Sequence, residues 1–304
     1  MSTIKINSED FLEDNKNSVV TFNKNFLSNL FSKAYYNYKK KYNLWYELGL
    51  KVDDRGPKGK RCSQIHKIYK GKPIPITLLQ QILRINKLDL EEITPHIESI
   101  GEFRTHKSKM LRLPASFKFD YTLGRIIGHL HGDGCISGNL VNYSNTNKRL
   151  VKFFQEEFKK VFDFSMPIII KSKKMYSCST RNKNYVWLVN RVIGKMDNKI
   201  LSSQFNRGFY SAIFDDEGSV TIRNRYAQIF VGMNNERIVN DMRNWLIRNG
   251  IKASILCIDT KFRKNNFYYF YVFGKQFKDI SRLLDVRHEK KLKKLKTFIR
   301  GDSL

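Results

Sequence analysis

Two short stretches, 84 residues apart, constrain this chain more than anything else in it. The segment RGFYSAIFDDEG (207–218) repeats the pattern of YTLGRIIGHLHGDG (121–134). Gly124 falls on Gly208, Gly128 on Ala212, Asp133 on Glu217 and Gly134 on Gly218. Each stretch reads as a short apolar helix closed by an acid and a glycine, and the simplest fold that uses both is a duplicated unit.

The residues after each helix repeat as well. Segments 135–143, 147–162, 167–172, 176–180 and 185–193 follow the first; 219–222 with 227–231, 236–248, 253–258, 267–273 and 275–284 follow the second. NKRLV (147–151) matches NERIV (235–239) at an offset of 88, and YVWLVNR (185–191) is set against YFYVFGK (269–275) at the original 84. Each copy therefore predicts helix-strand-strand-helix-strand-strand-helix. The fold class is α+β: two pseudo-symmetric αββαββα units, each with an antiparallel sheet, preceded by a small helical domain. The expected boundaries are 1–101 for the leader, 102–118 for a basic linker, 119–200 and 201–285 for the two units, and 286–304 for a basic amphipathic terminal helix.

Within the leader, residues 1–20 lack a sustained apolar period and read as a loosely docked arm. Phe26, Leu27, Leu30 and Phe31 mark a helix face, and Gly56, Pro57 and Gly59 mark a loop that also carries Lys51, Arg55, Lys58, Lys60 and Arg61. A short helix from Ser63, closed by Gly71, and another over 77–86 follow. The order resembles the helix-turn-helix of phage-repressor-type DNA-binding domains, in which the second helix enters the major groove; Ser63, Gln64 and Lys67 are its polar residues here. A plain helical bundle with a solvated basic face is the alternative.

Lys and Arg number 56 against 28 Asp and Glu, a formal charge of +28 spread over the whole chain. A polyanion is the natural partner. Nucleic acid fits best, because each neutralised phosphate releases condensed counterions, and the 15 Tyr and 22 Phe add base or sugar contacts. No apolar run reaches the ~20 residues that span a bilayer, and the first residues lack a secretion signal, so the cytoplasm is the expected compartment. Cys62, Cys135, Cys178 and Cys257 lie far apart and read as free, mostly buried thiols. His129 and His131, two residues apart on a helix, point to different sides and predict packing or surface roles, with no shared metal.

Three glycines at four-residue spacing, Gly124, Gly128 and Gly132, form a stripe free of side chains, partly repeated by Gly208 and Ala212. Glycine inside a helix costs about 1 kcal/mol, so three imply a compensating close approach of two helices. Pairing them brings Asp133 and Glu217 to the same end, where both helix C-termini already carry partial negative charge. A divalent cation resolves that conflict. Carboxylates beside the backbone of Gly134 and Gly218, with water, suit Mg²⁺. Asp215 and Asp216 read as supporting groups or surface charges.

The paired stretches IIGHLHGDG (126–134) and YSAIFDDEG (210–218) resemble the double motif of LAGLIDADG homing endonucleases, over about residues 114–285, and the basic leader is similar to accessory domains of archaeal members. The resemblance implies a metal-dependent DNA endonuclease, a monomer that makes a double-strand cut in double-stranded DNA at a long asymmetric target. It implies Asp133 and Glu217 as metal ligands, and basic helper groups, for which repeat symmetry nominates Arg191 and Lys275. The sheets would saddle the major groove, with Lys171, Lys173, Arg181, Arg223, Gln228, Lys261 and Arg263 as base- or phosphate-facing residues by alternation. The motifs depart from the family at His131, Ala212 and Asp216. A splicing intein is not expected, since the chain runs from Met1 to Leu304 without a junction nucleophile or terminal Asn. The alternative is a non-catalytic or bifunctional binder on the same scaffold, a DNA-binding regulator or an intron RNA maturase.

Overall fold

In the computed structural model, the described residues of the repeat region are 115–172, 174–196, 202–223, 226–260 and 266–300. Those of the leader are 3–14, 18–22, 26, 73–77, 79, 80, 83, 88–102 and 110–113. The chain divides into two compact units. One gathers Lys5–Ser116 with Asn182–Leu188; the other gathers Met1–Ile4, Phe117–Arg181 and Val189–Leu304.

The leader begins with β1 (Thr3–Ile6), α1 (Ser8–Asp14) and β2 (Ser18–Phe22), where an arm was expected. Strands β3 (Ile74–Pro75) and β4 (Ile97–Glu102) flank β2 in an antiparallel sheet of order β3-β2-β4, with a short helix α2 (Leu90–Ile93) before β4. Val20 pairs with Ile74 on one side and Ile100 on the other, and all three are fully buried. The described leader is thus partly sheet where helix was expected. A five-residue strand whose partner lies some 80 positions away leaves no local period to read. Phe11 packs edge-on against Trp187 at 4.7 Å, and Trp187 Nε1 donates to Asp14 Oδ2 at 2.8 Å, which ties residues 182–188 to this unit.

The expected linker also pairs in its described part: Leu111 and Ile100 exchange both backbone hydrogen bonds at 2.8 Å, Leu113 is buried, and β5 (Ala115–Lys118) follows. The short helix from Ser63 lies outside the described residues, as do Ser63, Gln64 and Lys67.

The other unit is the duplication. Its first copy runs α3 (Tyr121–His131), β6 (Gly134–Ser137), β7 (Leu140–Asn145), α4 (Lys148–Phe162), β8 (Ile168–Ser172), β9 (Met175–Thr180) and α5 (Lys183–Gly194), the last of which belongs to the leader's unit as far as Leu188. The second runs α6 (Ser203–Glu217), β10 (Gly218–Arg223), β11 (Tyr226–Met233), α7 (Glu236–Arg248), β12 (Cys257–Asp259), β13 (Phe267–Phe273) and α8 (Phe277–Leu283), then the terminal helix α9 (Glu289–Arg300). The sheets are antiparallel and share one order, β6-β7-β9-β8 and β10-β11-β13-β12. Among the described residues no helix is long and apolar enough to cross a membrane.

Local chemistry sets the helix starts. Asp120 caps α3 by accepting from Leu123 N, and Ser202 caps α6 by accepting from Phe205 N. Asn147 and Asn235 do the same for α4 and α7, at the 88-residue offset read from the sequence. One face of each sheet is then sealed by helix side chains: Val141 and Tyr143 lie under Leu150, Phe154 and Phe158, and Val231 and Phe270 under Val239, Met242 and Leu246.

Strand register corrects one part of the repeat. Tyr143 pairs with Cys178, and Val231 with Phe270, so the last strand of the first copy, β9, superposes on that of the second, β13, at an offset of 92, not 84. The segment 185–191, set against 269–275, is helical, whereas 269–273 is strand. At the corrected offset Tyr185 matches Phe277, Leu188 matches Ile280 and Val192 matches Leu284, all buried. Both segments carry aromatic and aliphatic residues at compatible spacings, and only hydrogen-bonded pairing tells helix from strand there.

Candidate active site and nucleic-acid interface

Helices α3 and α6 meet along the small-residue stripe. A Cβ on Gly124 would strike the carbonyl of Phe205 on the partner helix, and one on Gly208 would strike that of Tyr121, so the backbones touch where side chains normally keep them apart. Gly132 lies against the Asp216 carboxylate, which a Cβ there would approach to 2.7 Å. The expected close approach is what the fold contains.

Between the helices lies a buried charge network of larger extent than the sequence suggested. Arg125, fully buried, donates from Nη2 to Asp215 Oδ2 at 2.9 Å and from Nη1 to Asp285 O at 3.1 Å. Asp215 is itself fully buried, and its Oδ1 accepts from the backbone N of Arg287 and of His288, each at 2.9 Å. Glu157 on α4 sits 3.6 Å from Arg125 Nε and 2.6 Å from Arg287 Nη1. Asp215 is therefore no surface charge. Of the two readings offered, a supporting group or a surface charge, the first holds, and an arginine in the midst of an apolar motif helix is the readable sign that a buried acid must lie opposite.

His129 links this network to the acids at the helix ends. Its Nε2 lies 3.1 Å from Arg125 Nη2, and a guanidinium can only donate, so Nε2 accepts and the proton sits on Nδ1. Nδ1 then donates to Asp216 Oδ2 at 2.9 Å. Burial, and after it the Arg125 charge, push the imidazole down to about 3, which keeps it neutral. His131 is exposed, so the H-x-H pair divides between core and surface as expected.

Asp216 also accepts from the Tyr143 hydroxyl at 2.7 Å. The buried Asn145 donates from Nδ2 to Asp133 Oδ2 at 2.7 Å and reaches Asp216 Oδ1 at 3.4 Å, so one amide ties both carboxylates. Burial and then the Asp216 charge raise the Asp133 carboxyl to about 6. Burial raises Asp216 to about 8 despite the opposing Tyr143 hydrogen bond. Both folded values lie above the unfolded one, so these two groups contribute stability fully below pH 3.8 and lose it as pH rises through about 6 and about 8. His129 acts in the opposite sense, its contribution being lost as pH falls from 6.5 towards 3. Asp216→Asn removes the smaller of the two causes, so the Asp133 titration midpoint, read from its carboxyl carbon shift by NMR, is expected to fall below about 6 while burial still holds it above the ordinary value. An unchanged midpoint would assign the shift to burial alone.

At the end of α6 the protein supplies a cation of its own. Lys291 on α9 donates from Nζ to the carbonyls of Phe214 at 2.9 Å, Asp215 at 2.6 Å and Asp216 at 3.3 Å. Burial lowers its pKa, while Asp215, Asp216, Asp133 and Glu217 raise it. An ammonium thus caps the negative end of the second motif helix. Lys291 shares a helix face with the buried Leu295, four residues on, and with Phe298; a lysine on the apolar side of the tail was the signal that marked it.

The predicted metal ligands differ in setting. Asp133 fits a hard cation: the residue keeps solvent access although its carboxyl is partly enclosed, one carboxylate oxygen is fixed by Asn145, and the repulsion of Asp216 outweighs the attraction of Lys291. Glu217 ends α6 directly before Gly218, beside the carbonyls that Lys291 already holds. Among the described residues no group of three or more His, Cys, Asp or Glu could hold a metal, so an ion here would need backbone oxygens, water or a bound phosphate as further ligands. Arg191 lies in the last turn of α5 and Lys275, exposed, in a 3-10 turn after β13; the corrected register pairs Lys275 with Lys183 instead.

The sheet faces turned away from the helices differ in chemistry. On the first, Asn142, Ser144 and Ser177 form a hydrogen-bonded polar cluster, and Lys171 Nζ donates to Ser144 Oγ at 3.2 Å. Arg181 is exposed just beyond β9, and Gln228 lies on the outer face of β11. Arg223 ends β10, while Lys173, Lys261 and Arg263 lie outside the described residues. Of the cysteines described, only Cys178 is buried; Cys135 is exposed and Cys257 half-buried, against the expectation of mostly buried thiols.

No protein-family profile matches the chain. It is 28% identical over 210 residues to an uncharacterized protein of Methanocaldococcus jannaschii, MJ0314, covering 62% of this chain and 72% of that one. Among solved structures, the homing endonuclease I-DmoI in complex with DNA and Mn is similar at a TM-score of 0.43 and 12% identity, over 56% of this chain and 99% of that one. Other I-DmoI structures contain Ca or Mg. Full-length DUF199/WhiA from Thermatoga maritima is similar at a TM-score of 0.44 and 14% identity, over 62% of each chain, and its N-terminal LAGLIDADG domain at 0.41.

Proposed function

We propose that this protein is a LAGLIDADG-type, divalent-metal-dependent DNA endonuclease that makes a double-strand cut at a long asymmetric target, with Asp133 and Glu217 as the acids that hold the metal. One observation carries the reading: two helices packed backbone to backbone, the first leading through a turn into Asp133 and the second ending at Glu217, each acid followed by the glycine that opens a four-stranded antiparallel sheet. When bound, the ion would stabilise charge on phosphate oxygens. The chain's own part is to hold Asp133 through Asn145, to hold Asp216 through His129 and Tyr143, and to offer Lys171 and Arg181, on and beside the first sheet, to the duplex.

A second reading, DNA binding without cleavage, is favoured by Lys291, whose ammonium already occupies the carbonyl end of the second motif helix. Cleavage of a randomised duplex library in Mg²⁺ or Mn²⁺ separates the two. Loss of outer partners of a metal ligand costs ~10–100-fold, so Asp133→Asn, which removes a ligand, should lower cleavage by at least ~100-fold while gel-shift binding persists. No cut by the wild-type protein anywhere in the library would sink the nuclease reading and leave the binder.

A further inference from the structure

The outer face of the second sheet is aromatic where that of the first is polar. Phe230 on β11 is the centre: its ring lies 5.4 Å from Tyr269, 5.5 Å from Tyr271 and 6.1 Å from Phe267, the last nearly parallel at 15°. Register explains the cluster. Phe230 pairs with Tyr271, and the neighbouring pair is Gly232 with Tyr269, so a glycine makes room for the rings; a Cβ there would meet Phe267, Tyr269 and Phe230 within 2.9 Å. Phe273, 47% exposed, extends the face along β13.

Of these rings only Phe267 is buried; Phe230, Tyr269 and Tyr271 are half-buried and Phe273 is exposed, while the core fills from the opposite face through Ile229, Val231, Phe270 and Val272. Rings on a sheet gain little from a closed duplex, which offers base edges in its grooves and keeps its base planes stacked inside. They gain from bases whose planes are open, at about 1–3 kcal/mol per stacked base. The occupant must also be an anion, because the chain carries +28, and exposed Lys275 follows Phe273 by two residues. A second copy of the chain, equally charged, is repelled. Among the described residues of these strands the one acid on this face, Asp259, lies at its edge opposite Phe267.

We propose that Phe230, Tyr269, Tyr271 and Phe273 form a stacking platform for the unpaired bases of a single DNA strand, so that the second half of the protein engages DNA in opened form. The inference rests on DNA as the ligand but not on cleavage, and the experiment is run in EDTA so that failure of either is seen separately. Fluorescence anisotropy at fixed salt compares a single strand of about 16 nucleotides with an abasic strand of equal length and with a duplex.

The full-length protein should bind the base-bearing strand at least tenfold more tightly than the abasic one. Tyr269→Leu with Tyr271→Leu should remove that tenfold difference and leave abasic binding unchanged, whereas Tyr271→Phe, which keeps the ring, should retain it. If a melting curve shows the double variant unfolded, Phe273→Leu at the exposed rim takes its place, with an expected loss of at least about fivefold. Equal affinity for the two strands, or a folded leucine variant that binds as the wild type does, overturns the proposal. Tenfold tighter binding of RNA of the same sequence overturns the assignment to DNA.

Discussion

Arg125→Met is expected to destabilise the duplicated unit by about 3–5 kcal/mol, the usual result of removing one partner from a buried ion pair. The guanidinium is fully buried and serves Asp215, His129, Tyr121 and the Asp285 carbonyl at once. Without it, Asp215 keeps two backbone N–H donors and loses the guanidinium that neutralises it. The check is a denaturant titration in which the midpoint falls and the slope does not change. Adding Asp215→Leu should restore part of the loss, because a pair replaced by apolar groups costs less than a pair broken. A single variant within 1 kcal/mol of wild type would mean that the network relaxes around the vacancy.

Lys291→Met is expected to cost about 2–3 kcal/mol, since three carbonyls lose a charged donor and four nearby acids lose a counter-charge. It also bears directly on the choice between nuclease and binder. With the ammonium gone, the end of α6 becomes a place where a divalent ion relieves the same electrostatic conflict. Added Ca²⁺ should then raise the melting temperature of the variant more than that of the wild type; a site 99% filled contributes about 2.7 kcal/mol. Equal shifts would show that Lys291 and metal do not compete, and the second motif would then be free to hold its own ion.

Several parts of this site were visible as letters. The acid-glycine pair of both motif stretches and the glycine stripe are local patterns, and a helix with glycine at 124 and 128 has few uses other than close contact. Asn145 and Tyr143 were not visible. They reach Asp133 and Asp216 only because β7 runs beneath the helix ends, a placement set by pairing with β6 and β9.

The sequence by itself determined the duplication, the order of elements in each copy and the two acids, because each depends on spacing within one helix or strand. Tertiary structure alone decided that β2 finds partners at 74 and 100, that the last strands superpose at an offset of 92, and that Asp215 meets Arg125 while Lys291 caps Asp215 and Asp216. These are contacts between residues 54 to 90 positions apart, or closer ones made only when a strand or a terminal helix folds back. Hydrogen-bond geometry and the cost of burying an unpaired charge select them, and neither leaves a local period to read.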